Sequence, residues 1–162
     1  MKRLLLLLGS LCLFLLLSSS SCHFGEPGDV YVTLKNNSTD NVACFIANGL
    51  ELSHPDTLLP KTRPIYHITE HITDSAIVLS GSGYNFSVFF EILQDEYLSV
   101  YVFNQEEIDS LGWEEISYRN QYLVRYDLTE KDLMSLRGKL SYPPSEAMRN
   151  VKMWPRYEDV RP

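Results

Sequence analysis

Residues 30–35, VYVTLK, alternate strictly, with Val30, Val32 and Leu34 on one parity and Tyr31, Thr33 and Lys35 on the other. That period of two predicts a strand with one buried face. Residues 36–41, NNSTDN, are wholly polar and predict a turn, and residues 42–47, VACFIA, predict a second, more apolar strand. The expected product of the two strands is a hairpin. Asn48 and Gly49 end it, and Pro55, Pro60 and Pro64 mark residues 49–64 as loop. Residues 65–73 are rich in β-branched side chains and favour extended backbone. Residues 76–79, AIVL, read as a short strand closed by the SGSG of residues 80–83.

Residues 84–94 fit two periods. Phe86, Phe89, Phe90 and Leu93 make a helical stripe, whereas Phe86, Val88, Phe90 and Ile92 make a strand face. A short helix is preferred, with Ser87 as its cap and residues 94–96 as its end. Residues 98–103, LSVYVF, are apolar on both parities. They predict a central strand buried on both faces.

Two helix starts follow. Asn104 and Glu107 form a potential capping box flanked by Phe103 and Ile108 as a hydrophobic staple, and Thr129 with Asp132 repeats the grammar inside Leu128 and Leu133. Gly112 should stop the first helix, with a further turn over residues 113–118. In the second, Leu133, Met134 and Leu136 supply the apolar face and Gly138 the C-terminal cap. Tyr122, Val124 and Tyr126 predict one face of a strand over residues 122–127, and residues 139–142 form a last strand. Pro143 and Pro144 break the sheet, residues 145–150 suit one helical turn, and Met153 and Trp154 can pin the end of the domain. The expected class is α+β, mainly antiparallel β in a small sheet or sandwich-like arrangement, with two or three short helices. The alternative is an all-β immunoglobulin-like sandwich. One domain spans residues 30–155, and residues 156–162 read as a solvated tail.

The N-terminal region changes the picture. Lys2 and Arg3 precede an apolar run from Leu4 to Leu17, then four serines and Cys22. A charged start, a short apolar core and small residues make a secretory signal. The run is shorter than the roughly 20 residues that cross a bilayer. Ser19, Ser20 and Ser21 ending at Cys22 look like a bacterial lipobox, although leucine is more usual where Ser19 stands. The expectation is a signal peptide over residues 1–21, palmitate-type acylation of Cys22 and a tether over residues 22–29. Stable anchoring takes two or more acyl chains. The alternative is a plain signal peptide cut near Ser20, releasing the protein.

The full chain carries a formal −7. Lys2 and Arg3 leave with the leader, so 12 basic residues face 21 acidic ones in the remaining 141, a formal −9. Such a surface repels phosphate backbones and excludes nucleic acid as the expected partner. Cys12 also leaves, Cys22 is used by lipid, and Cys44 reads as a small buried hydrophobe. A Cys22–Cys44 disulfide is the rival.

LSVYVFN at residues 98–104, WEEI at 113–116, VRYDLT at 124–129, SYPPSEAM at 141–148 and VKMWP at 151–155 resemble a set of small, uncharacterised lipoproteins of Bacteroidota. HPDTLLP at residues 54–60 looks like an upstream element of the same group. The resemblance covers about half the chain. It implies an envelope lipoprotein and carries no functional residues. That phylum also attaches glycans to Asp, then Ser or Thr, then an aliphatic or similar residue. Thr57, Ser75 and Ser110 sit in such triplets, which turn and cap chemistry produces equally.

Candidate chemistry is thin. His67–His71, HITEH, has the H-x-x-E-H form of inverted zinc peptidases. Zinc ligation there needs both imidazoles on one helical face, with Glu70 as base. The β-branched surroundings favour a strand instead, which would share a face but hold the two histidines roughly 13 Å apart. No G-x-S-x-G elbow or phosphate-cradling loop occurs. Carboxylate pairs such as Asp95–Glu96 and Glu114–Glu115 lack EF-hand spacing. No catalytic residue, metal site or cofactor is expected. Ten tyrosines and two tryptophans are more suggestive. Exposed rings would make a carbohydrate or peptide platform, and Trp113 and Trp154 are the candidate contacts, against the alternative that both are core anchors. The expected function is a lipid-anchored, non-catalytic binding or accessory module of the cell envelope, held to the membrane through its lipid and meeting an envelope protein or glycan. A structural subunit of an envelope complex is the alternative, and a hydrolase is disfavoured.

Overall fold

A computed structural model describes residues 29–47, 58–63, 68–81, 85–93 and 97–160. The leader, Cys22, Thr57 and His67 lie outside the described residues. The described residues form two sheets. The larger contains β2 (Val42–Ala47), β3 (Ile68–Ile72), β5 (Leu98–Asn104), β6 (Val124–Leu128) and β8 (Lys152–Trp154), in the order β3-β2-β5-β6-β8 and wholly antiparallel. The smaller has order β4-β1-β7, from β1 (Val30–Asn36), β4 (Ser75–Gly81) and β7 (Lys139–Tyr142). Its β1–β7 pair is parallel. Four helices accompany them: α1 (Phe86–Leu93), α2 (Gln105–Arg119), α3 (Glu130–Leu136) and the short α4 (Tyr157–Val160). The fold is α+β and β-rich, and the helices rule out the all-β immunoglobulin-like alternative.

The expected β1–β2 hairpin does not form. The two strands lie in different sheets, because the chain turns a corner at the polar stretch between them. A second corner, between β3 and β4, lies beside the first. There β1 pairs antiparallel with β4, and β2 with β3. Two long arms are thus folded together, each contributing one strand to each sheet, as sheet-switching corners do. Asn36 holds the corner. Its Nδ2 donates to Asp40 O at 2.7 Å and to Ile72 O at 2.9 Å, and its Oδ1 accepts from the Ser38 amide at 3.0 Å. Burial of this side chain is affordable only because both its ends are bonded.

Between the sheets lies the main core, with Val32 and Leu34 facing Cys44, Val100, Val102, Val124 and Tyr126. Cys44 is buried and free, as a small hydrophobe should be. Tyr126 reaches across and donates its hydroxyl to Ser141 O at 2.8 Å. On the far face of the larger sheet a second cluster gathers Ala43, Phe45, Tyr101 and Phe103 under Ile108, Trp113 and Ile116 of α2. β2 and β5 are therefore covered twice, which is why their sequences show no clean alternation.

Local signals hold with amendments. Residues 84–94 contain a helix, but Asn85 rather than Ser87 caps it, accepting from the Val88 amide at 2.9 Å. Asn104 caps α2, yet Glu107 does not reach back; its carboxylate accepts from Gln121 Nε2 at 2.7 Å. Gly112, at φ 76°, divides α2 into two short helices as expected. The Thr129–Asp132 box closes in both directions. Left-handed backbone after α3 starts at Arg137, one residue before Gly138. Met134, expected in the apolar face of α3, points to solvent because the helix buries only the side carrying Leu133. Tyr122 precedes β6 and packs into the second cluster, not on the Val124–Tyr126 face. Residues 152–154 form an edge strand paired with β6. The supposed tail docks instead of floating: Tyr157 is buried and Val160 packs on the main core.

Gly138 combines φ +67° with a backbone approach so close that a Cβ would lie 2.1 Å from Tyr31 O. Gly138→Ala should cost at least about 2 kcal/mol, from left-handed strain plus the clash. Urea unfolding measures it.

Candidate functional site

The outer face of the larger sheet is built from cross-strand ladders. One runs Phe45, Tyr101, Arg125, Trp154 across β2, β5, β6 and β8. The next runs Ala47, Ser99, Asp127, Lys152. Where α2 lies over the sheet the ladder residues are aromatic and buried, with Phe45 edge-on to Trp113 at 6.0 Å between ring centroids. Towards β8 the ladders become polar.

That polar corner centres on Arg125, 5 % exposed, and Asp127, 2 % exposed. Arg125 Nε donates to Asp127 Oδ1 at 2.6 Å, and Nη2 reaches Ser99 Oγ at 3.3 Å. Ser99 in turn donates to Asp127 Oδ1 at 2.8 Å. Lys152 Nζ stands 3.5 Å from Asp127 Oδ2. The guanidinium carbon lies 5.4 Å from the centre of the Tyr101 ring and 5.7 Å from that of Trp154. Lys152 is likewise flanked by Tyr97 at 4.6 Å and Trp154 at 5.2 Å. Burial pushes the Tyr101 hydroxyl up to about 12, opposed by the Arg125 charge and assisted by that of Asp127.

A second feature flanks α2. Residues 58–63 run beside its second half, held by side-chain hydrogen bonds. Trp113 Nε1 donates to Pro60 O at 3.0 Å, Ser117 Oγ donates to the same oxygen at 2.8 Å, and the Leu59 amide donates to Asn120 Oδ1 at 3.0 Å. Asn120 can accept there because it ends α2 in left-handed backbone at φ 51°. Between the two segments opens a cleft of about 680 Å3. Lys61 and Arg63 stand on one wall, Glu114 on the other, with Trp113 in its lining and Tyr118 at its rim. Tyr118 is 86 % exposed. A smaller hollow of about 450 Å3 continues on its other side, past Leu111 and Glu115.

No family model, curated protein or solved structure matches this chain.

The two tryptophans named from sequence fall in different places. Trp113 is buried and anchors the second cluster while its edge lines the cleft. Trp154 is 40 % exposed and belongs to the polar corner. Ser75 is exposed at the start of β4. Ser110 is exposed on α2, where its hydroxyl donates to Glu107 O at 3.3 Å. Within HITEH, Glu70 pairs with Arg63 and His71 takes φ 56° at a bulge opposite β2, its amide donating to Gln105 Oε1 at 2.9 Å. The bulge interrupts the strand alternation on which a shared histidine face depended. Among the described residues no three His, Cys, Asp or Glu side chains converge. Arg125, Asp127 and Tyr118 carry no motif or spacing signal in the sequence. Arg125 and Asp127 alternate with Val124, Tyr126 and Leu128, and parity alone does not tell a buried second face from a solvated one.

Asp127→Asn should cost about 3 kcal/mol, because it strands the Arg125 charge in a buried site, and denaturant titration would read the loss. Tyr101 supplies a pH dependence. Its folded pKa is raised, so its contribution is intact below pH about 10, its unfolded value, and falls as pH climbs towards about 12. The expected slope is about 1.4 kcal/mol per pH unit. Tyr101→Phe should remove that share of the slope while Tyr122, Tyr126 and Tyr142, also raised by burial, keep theirs, checked by urea midpoints across that range.

Proposed function

We propose that the chain is a cell-envelope lipoprotein, anchored by acyl chains on Cys22, whose β-rich domain is a non-catalytic binding module. The observation that carries the binding reading is the cleft beside α2. It is concave, mixed in charge, lined by one aromatic side chain and rimmed by another that is almost wholly solvated. Ligand sites combine such apolar walls with a few placed polar groups, and a solvated ring supplies contact area at small entropic cost. An envelope glycan or protein segment suits this lining.

The anchoring reading rests on Lys2, Arg3, the apolar run and the small residues before Cys22. Seven residues separate Cys22 from β1, a reach of at most roughly 25 Å. A lipid at Cys22 would therefore keep the domain close to the bilayer. Among the described residues no helix is long and apolar enough to cross a membrane. A second reading, a subunit of an envelope assembly, is favoured by the exposed Leu58 and Leu111 that extend the rim of the same hollows.

Mass spectrometry of the N-terminal peptide should find Cys22 as the first residue, carrying acyl chains; an unmodified thiol there would overturn the anchor. A photo-reactive residue at position 118 should give a discrete cross-linked adduct in intact cells, and one at Lys35, exposed on the smaller sheet, should not. Equal labelling from both positions would remove the cleft as the binding site.

A further inference from the structure

The polar corner holds more donors than acceptors. Arg125 presents five N–H groups in a fixed fork. Its Nε and Nη2 side meets Asp127 and Ser99, whereas Nη1, although buried, has no hydrogen-bond partner. The end of the fork, between Nη1 and Nη2, is therefore left without a bidentate acceptor. Lys152 adds a half-exposed ammonium 3.5 Å from Asp127 Oδ2. Two cations face one carboxylate here, a local formal +1 on a chain of −7. A buried donor without a partner is destabilising and calls for a physical account.

The geometry points to a carboxylate-binding recess at Arg125, Ser99 and Lys152 that takes an acidic sugar. A carboxylate is acceptor-only and planar, and it matches the open end of the guanidinium in the bidentate manner. Trp154 and Tyr97 are both partly exposed at the rim and stand on either side of Lys152. Their rings offer flat apolar faces beside the charge, which suits a pyranose ring carrying the acid. Trp154 is the outer of the two rings that flank the guanidinium and stands on a strand of only three residues. The recess rests on reading the domain as a binding module, but it uses neither the cleft residues nor the lipid.

Calorimetric titration of the full-length chain in detergent tests it, with glucuronate as the probe and glucose, which carries a neutral hydroxymethyl group in place of the carboxylate, as the counterpart. Glucuronate should bind saturably and glucose should not. Lys152→Met should weaken glucuronate about tenfold, the loss expected of one charge-assisted contact. Arg125→Gln combined with Asp127→Asn removes one charge of each sign, keeps the local formal charge at +1 and should abolish binding. Tyr118→Ala, in the cleft, should leave the affinity unchanged and so separates this recess from the cleft. Equal binding of glucose, tighter binding of inorganic phosphate, or an acetylated peptide with a free C-terminal carboxylate binding as well as glucuronate would each overturn the assignment. So would no response of the unmutated chain to glucuronate, whatever the fate of the variants.

Discussion

A strand with apolar side chains on both faces must be covered twice. In this protein β2 and β5 impose that condition, and the remaining elements meet it. The smaller sheet covers one face through Val32, Leu34 and Leu140. On the other face the cover is α2, which sets Ile108, Trp113 and Ile116 on Phe45, Tyr101 and Phe103. Removing either layer would expose a contiguous apolar surface well beyond what a monomer tolerates. The break at Gly112 serves the same need, since it lets both halves of α2 lie against a twisted sheet.

Two buried polar side chains make that layering possible. Asn36 satisfies backbone groups at the corner where the chain leaves one sheet for the other. Gln105 does so at the bulge of β3, accepting from the His71 amide while donating to Asp109 Oδ1 at 2.9 Å. Corners and bulges leave backbone groups unpaired by any ladder, and side-chain amides carry both a donor and an acceptor.

The polar corner and the cleft arise where the second cover stops. α2 spans only part of the outer face, so the ladders change from aromatic to polar towards β8. A guanidinium suits that boundary, because its faces stack on rings while its edges hydrogen-bond. The cleft arises at another margin of the same cover, where residues 58–63 are tied to α2 through Pro60 O and Asn120. The polar corner and the cleft are thus consequences of an incomplete layer, and each has a tryptophan because each lies between buried and wet surface.

The elements themselves were largely legible in the chain. Alternation marked β1, doubled apolar parity marked β5 as central, and cap residues marked α2 and α3, because these signals depend on neighbours within a few residues. Strand partnership was not legible. NNSTDN between two apolar runs describes a hairpin turn and a sheet-switching corner equally well, and only the docking of β3 and β4 chose the corner. Nor was the burial of Arg125, Asp127 and Tyr157 legible, since a charged or aromatic residue at a given parity becomes interior only when something distant in sequence covers it. Local order was written in side-chain spacing and capping. Which surfaces meet, and which donor is left unsatisfied between them, was decided by packing across the whole domain.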